Sequence, residues 1–320
     1  MSSEQQKKQA PRRRFLKGAT AAAAGATALG FPMIAKSQSP IVIKMQGSWG
    51  SADIFNEMAQ EYVKRVNEMS GGRLRIDYLL AGAVVKPFEV MDAVSRGVLD
   101  GGHTVPVYWY GKSKVASLFG SGPINGCDAQ QTLAWIYRGG GLQLYQELLA
   151  KLGLNAVGFF AFPMPTQPLG WFKKPVKGAQ DMKGLKYRTV GLAADLMQQM
   201  GLRVTQLPGG EIIPAMEKGV IDAFEYNNPT SDSRFGAQDT SKNYMMGSYH
   251  QAMEFFEILF NKKKWESIPK DLQAILQYGV EAASTPYLRI ACRSFGIESH
   301  FFLLKMISKN SIAWWKLPIM

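Results

Sequence analysis

The sequence predicts an α/β protein of two doubly wound α/β lobes, joined by a hinge and enclosing an interlobe ligand cleft. Three observations carry that expectation. A chain of 320 residues, 46% hydrophobic and 19% charged, is long enough for two cores. Short β-rich runs alternate with helical stretches of amphipathic spacing, the pattern of wound sheets. The connections between them are short.

Ile41–Gln46 is the first strand, ending at Gly47, and Ser51-Ala-Asp53 opens a helix with Ile54, Phe55, Met58, Tyr62, Val63 and Val66 on one face. Gly71-Gly72 stops it, and Arg73–Tyr78 alternates as the second strand. A helix over Pro87–Ser95 ends at Gly97, and a third strand follows to Thr104, which argues for a mainly parallel sheet. Residues 37–160 are expected to form mainly lobe one. Within them a long helix covers about Asp128–Lys151, softened at Gly139–Gly141, and Asn155–Ala161 reads as a strand before a Pro-rich turn at Pro163–Pro168. Residues 161–260 form mainly lobe two, with strands at Gly170–Phe172, Leu185–Thr189, Arg203–Gln206 and Val220–Phe224 and helices at about 191–200 and 210–218. Glu254–Phe260 crosses back, and 261–290 is a helical return containing a helix over Pro269–Ala283. Open α/β sheets take small ligands at the carboxyl ends of their strands.

The net charge of +12 does not indicate nucleic acid. Residues 1–36 hold seven Lys and Arg against Glu4, so half of the excess sits there, and the remainder is spread without a basic-aromatic patch. The triplet Lys262–Lys264 reads as a solvated turn. Arg12-Arg13-Arg14-Phe15-Leu16-Lys17, followed by a small-residue stretch to Ile34, has the layout of a twin-arginine export signal, with cleavage near Lys36–Ser39. That stretch is too short and too weakly apolar for a convincing membrane span. The mature chain is therefore expected in the periplasm. Cys127 and Cys292 show no pairing signal and read as two small buried hydrophobes.

Catalytic signatures are missing. His103, His250 and His300 have no metal-ligand spacing, and neither a nucleophile elbow nor a dinucleotide or phosphate loop is present. Pro208-Gly-Gly-Glu211 reads as a tight strand-to-helix turn, with Glu211 favouring the helix dipole. Nothing in the sequence supports an enzyme.

The stretch Tyr187–Glu225 is far more specific. Arg188 ends a strand just before a helix, and Glu225 ends another. With Met69-Ser-Gly-Gly-Arg-Leu74, Gly102-His-Thr104, Gly170-Trp-Phe172, Leu207-Pro-Gly-Gly-Glu211, Gly219-Val-Ile-Asp-Ala223 and Tyr249-His250, it resembles the solute-binding subunits of tripartite ATP-independent periplasmic (TRAP) transporters. The branch it resembles takes 2-oxo and 2-hydroxy monocarboxylates, and the resemblance covers about residues 40–288. It implies a type II periplasmic-binding-protein-like fold that closes on a small organic carboxylate and delivers it to a membrane permease. Arg188 would clamp the carboxylate, since guanidinium offers a planar fork that fits it. A bridging Na⁺ or Ca²⁺ would be held by the Gln167 side chain, the Glu225 carboxylate and the Tyr226 carbonyl. Tyr108 would add a hydroxyl from lobe one, and Gln251 would also face the substrate.

Some positions depart from the family pattern. Tyr226 replaces the usual Trp, Val107 stands where a first Tyr is common, and Phe162–Thr166 lacks the usual polar turn residues. Gln251 replaces a common Glu, and Ala252-Met253 replace Pro-Gly. Residues 291–320 read as a tail atypical of the family, such as truncation or a frame-shifted reading would leave. That bears on the homodimer the resemblance implies. Alternatives are a receptor for a diacid or an aromatic acid, or a periplasmic enzyme acting on such an acid.

Overall fold

The computed structural model describes residues 39–122, 126–248 and 250–293; the expected export signal, its cleavage site before Ser39 and the tail beyond Arg293 lie outside the described residues. β1 (Ile41–Gly47) runs parallel to β2 (Leu74–Leu79) and, on its other side, to β3 (Gly101–Thr104). α1 (Ile54–Met69) makes the first crossover. Asp53 caps it by accepting the Phe55 N–H at 3.0 Å, and Ile54, Phe55, Met58, Tyr62 and Val66 are its buried stripe. Full burial of one such side chain stabilises the fold by about 1.5–3 kcal/mol. α2 (Val90–Arg96), entered through a 3-10 turn at Pro87–Glu89, makes the second crossover.

The chain then passes through a 3-10 turn at Pro106–Trp109, α3 (Lys114–Gly120) and the short β4 (Ser121–Gly122). The single helix expected over Asp128–Lys151 is two, α4 (Ala129–Arg138) and α5 (Gly141–Lys151), because Gly140 takes a left-handed backbone, φ 87°, that no helix can continue through. β5 (Ala156–Met164) is longer than expected and runs through Pro163. Cys127 is exposed, not buried; it lies outside the packed elements, just before the Asp128 cap of α4.

The second lobe is built on a five-stranded sheet: β6 (Gly170–Phe172), β7 (Lys186–Arg188), β8 (Arg203–Thr205), β9 (Ala223–Phe224) and β10 (Asn243–Met245), in the order β10-β6-β9-β7-β8. Only β7 with β8 and β9 pair in parallel; β6 and β10 run antiparallel. α6 (Leu192–Gln199), α7 (Gly209–Glu217) and α8 (Pro229–Arg234) connect them.

β11 (Met253–Asn261) then returns to the first sheet, antiparallel to β3, β4 and β5, and all nine of its residues are buried. The first sheet is therefore mixed rather than mainly parallel, since a returning strand from the far lobe enters from the opposite direction. Lys262–Lys264 open a short helix, α9 (Lys262–Ser267), instead of a turn, capped by Asn261 accepting the Lys264 N–H at 3.1 Å. α10 (Lys270–Arg293) extends past the expected end at Ala283 and lies along α1, where the Tyr62 hydroxyl donates to the Leu276 carbonyl at 3.1 Å. The largest apolar cluster is continuous from Ile43 and Phe55 of the first lobe to Trp171 and Ile212 of the second. Among the described residues no helix is long and apolar enough to cross a membrane.

Candidate functional site

Arg188 is the last residue of β7, flanked in register by Thr205 of β8 and Phe224 of β9, so its side chain leaves the sheet at the carboxyl ends of all three strands. It is 1% exposed. Nε donates to the Leu207 carbonyl at 2.8 Å, and Nη1 donates to the Glu225 carbonyl at 2.7 Å and to Glu225 Oε1 at 3.0 Å. The guanidinium carbon lies 5.7 Å from the centre of the Tyr226 ring. Nη2 donates to no described residue, and Arg188 lines a cavity closed between the lobes. Trp49, Phe55, Tyr108, Tyr226, Glu254 and Phe256 share that lining, and only about 10 Å³ of free space remains, room for one water at most. A larger concavity of about 320 Å³ lies at the edge of the second sheet by Lys173, Lys174 and Asp222, and none of the expected site residues lines it.

Glu225 is 1% exposed. Burial raises its carboxyl pKa, and the Arg188 charge opposes that shift. Thr189 and the Val190 N–H stand beside it and also favour the ionised form, yet neither gives Oε2 a bond of good geometry, and that oxygen is left unpaired. Gln167 is equally buried, and its Nε2 donates to Glu254 Oε2 at 2.6 Å while its own Oε1 is unpaired. Asn227 Nδ2 donates to the same Glu254 oxygen at 2.7 Å. Burial and the neighbouring Glu225 charge push the Glu254 carboxyl up to about 8. The Tyr226 carbonyl accepts no hydrogen bond from a described residue, whereas its hydroxyl donates to Asp53 Oδ2 in the other lobe. Burial pushes Asp53 up to about 6. Tyr108 sits in the 3-10 turn after β3, its ring 4.6 Å from that of Phe88, and burial raises its hydroxyl pKa.

The structure thus gathers Arg188, Tyr226 and Tyr108 at one cavity, with Glu225 joined to it through Arg188 and Gln167 through Glu254. Gln251 is attached differently. Its carbonyl accepts the Gln167 N–H at 3.2 Å, while its buried side-chain Nε2 has no partner among the described residues. Tyr249 of the quoted motif lies outside the described residues.

Glu254 and Asp53 were not among the expected site residues. Glu254 had a visible signal, one of two acids in a largely apolar strand. Asp53 was legible only as a helix start. Just ahead of Gln167 lies a β-bulge: between Glu254 and Phe256 the register on β5 jumps from Met164 to Ala161, and Phe162 at the jump has φ 48°. Its N–H donates to Ser284 Oγ at 2.9 Å, which anchors this strained point to α10.

Two α/β lobes closed over one charged cavity at the carboxyl ends of their strands define a solute-binding protein. The chain belongs to the bacterial extracellular solute-binding protein family 7, whose profile matches residues 45–293. The monocarboxylate 2-oxoacid-binding periplasmic protein of Nostoc sp. is 37% identical over 230 residues, covering 72% of this chain. This chain spans 62% of that relative's length. Two solved TRAP periplasmic solute-binding proteins share the fold. One, from Colwellia psychrerythraea with bound calcium and pyruvate, is 29% identical with TM-score 0.76, over 88% of this chain and 82% of that one. The other, from Pseudoalteromonas atlantica with bound sodium and pyruvate, is 29% identical with TM-score 0.73, over 80% and 79%.

Proposed function

We propose that this chain is the periplasmic receptor of a TRAP transporter, taking up a small 2-oxo or 2-hydroxy monocarboxylate of the pyruvate kind. The observation that carries this reading is the Arg188 guanidinium, held rigidly on two carbonyls and a carboxylate with Nη2 left over at a cavity between the lobes. A carboxylate there meets a charged donor already oriented and dehydrated, so little ordering remains to oppose binding. Tyr108 adds a hydroxyl from the opposite lobe. Binding then favours the closed arrangement because the two lobes contact the same small acid.

The cation found in the two solved relatives has suitable donors here. Gln167 Oε1 and Glu225 Oε2 are buried oxygens with no hydrogen-bond partner, and the Tyr226 carbonyl is equally uncommitted among the described residues. All three are hard oxygen ligands, suited to Na⁺ or Ca²⁺. When bound, the cation supplies positive charge that keeps the neighbouring carboxyls ionised and reverses the rise that burial alone imposes. The family pairing with a membrane permease, export to the periplasm and a non-enzymatic role belong to the same reading.

Isothermal titration of the mature chain with pyruvate, lactate, a dicarboxylate and an aromatic acid tests it, each with Na⁺ or Ca²⁺ present and with the acid recovered and checked by NMR. Stoichiometric binding of a monocarboxylate that is recovered unchanged is expected. Turnover of the acid, or tighter binding of the diacid, would overturn the reading.

A further inference from the structure

A small acid leaves a closed cavity only when the lobes part, so a joint between the lobes sets how long the acid is kept even if it never touches it. One such joint lies outside the cavity lining. Asp195, in the first turn of α6, accepts the Tyr110 hydroxyl on Oδ1 at 2.5 Å and the Lys114 ammonium on Oδ2 at 2.7 Å. Lys114 Nζ also lies 5.3 Å from the centre of the Tyr110 ring, so the two donors brace each other. Each side of the joint is fixed to its own lobe. Tyr110 follows the 3-10 turn whose Trp109 Nε1 donates to Glu257 of β11 at 2.7 Å, and Ala116 and Phe119 of α3 belong to the same apolar cluster as Trp109 and Leu259. On the other side, Met197 of α6 is buried with Tyr187 and Phe172 of the second sheet.

Gly191, just before α6, shows how closely the two pieces seat. Its φ of 66° suits glycine, and a Cβ there would lie 3.2 Å from Val107 Cβ and 3.3 Å from Ser117 Oγ, both of the first lobe. The cavity residues ride on the same two pieces. Tyr108 stands two positions before Tyr110, and Arg188 and Val190 lead directly into Gly191 and Asp195.

We propose that Asp195 is a closure clasp: gripped by Tyr110 and Lys114 only when the lobes are shut, it slows release of the bound acid without contacting it. The proposal rests on the receptor reading above and adds a positioning residue outside the ligand site. Both bonds are short-ranged, so a small parting of the lobes breaks them, while the acid enters an arrangement in which they are not yet made. The clasp therefore acts on dissociation rather than on association. Its two donors are unequal. The Lys114 side chain is 61% exposed, and water screens its charge, whereas the Tyr110 hydroxyl is a directional donor to an ionised acceptor.

The test is stopped-flow mixing of the mature protein with pyruvate, Na⁺ and Ca²⁺ present, read by tryptophan fluorescence because Trp49 lines the cavity. The dependence of the observed rate on pyruvate concentration separates association from dissociation. Asp195→Ala and Tyr110→Phe are each expected to raise the dissociation rate about tenfold and to leave the association rate within about twofold of wild type. Lys114→Ala is expected to change neither by more than about twofold. The double variant of Asp195 and Tyr110 should dissociate little faster than either single one, since both lose the same bond. Unchanged dissociation in Asp195→Ala and Tyr110→Phe, or slower association with dissociation unchanged, overturns the proposal. Asp195 also sits at a helix start, so should Asp195→Ala not fold, Tyr110→Phe, which keeps the carboxylate there, decides alone. If wild type binds not pyruvate but a diacid or an aromatic acid, the substrate reading falls, and the same rates measured with that acid still judge the clasp. If wild type binds none of these acids, both readings fall.

Discussion

The Tyr226 hydroxyl donates to the Asp53 carboxylate across 173 positions of sequence, tying the second residue after β9 in one lobe to the cap of α1 in the other. The same Asp53 holds the Phe55 N–H with its second oxygen, so one carboxylate serves both the helix start and the lobe contact. Arg234 of α8 and Glu57 of α1 add an exposed ion pair on the same side, which screening by water leaves weak.

Tyr226→Phe removes the lobe contact but keeps the ring packed against Phe235, 4.7 Å between centres. A hydrogen bond to a charged group contributes about 1.5–3 kcal/mol, so acid affinity is expected to fall about 10–100-fold. Calorimetry on the two proteins checks this, and equal affinities would show that the contact does not favour closure.

Gly209 determines where that hydroxyl can sit. A Cβ added there would lie 2.5 Å from the Tyr226 oxygen, within the hard contact distance. Gly209→Ala is therefore expected to displace Tyr226 and mimic Tyr226→Phe. The double variant should lose little more than either single one, because both remove the same contact. Fully additive losses would separate the two positions.

Arg188→Ala leaves Glu225 buried without its counter-ion, and breaking such a pair costs about 3–5 kcal/mol of stability. Arg188→Lys keeps the charge but cannot reproduce the bonds to Leu207 and Glu225 together with a free donor at the cavity. Binding is expected to vanish in the first variant and to drop by about two orders of magnitude in the second, two bonds' worth at 1.4 kcal/mol per decade. Urea unfolding and titration read the two effects separately. Lysine binding the acid within twofold of wild type would count against the clamp.

Glu257 gives a pH signature away from the cavity. It is fully buried, with Trp109 Nε1 donating at 2.7 Å and the Tyr145 hydroxyl at 2.5 Å, and burial pushes it from 4.5 up to about 7. The folded state then holds a proton that the unfolded chain has released, so stability is full below pH 4.5 and falls as pH rises towards about 7. That shift corresponds to about 3 kcal/mol at most. Glu257→Gln is expected to lack this share of the decline in urea unfolding across that range. An identical slope in both proteins would place the titration on other buried acids.

Much of the architecture was legible along the chain. The i, i+3, i+4 stripe of α1 and the period-two run of β2 report directly which face is buried, because that pattern is local. Gly139–Gly141 was visible as an interruption, but whether it softened or broke the helix depended on Gly140 taking a positive φ. The mixed pairing of the first sheet was not legible. The apolar, aromatic-rich run Glu254–Phe260 says that a strand forms there, not that it runs against β3 and β5.

The same division holds at the site. By itself the sequence determined the chemical types: an arginine and a glutamate at the ends of two strands, a glutamine ahead of Gly170, and the motif context that sets them apart from surface residues. Tertiary structure alone decided that Arg188 meets Glu225 at 3.0 Å, that Gln167 meets Glu254 at 2.6 Å, and that Tyr226 reaches Asp53. Periodicity encodes the direction a side chain leaves its own element. Which remote segment it then meets follows from sheet order, from the bulge at Phe162 and from the closing of the lobes, and those come from packing summed over the whole chain.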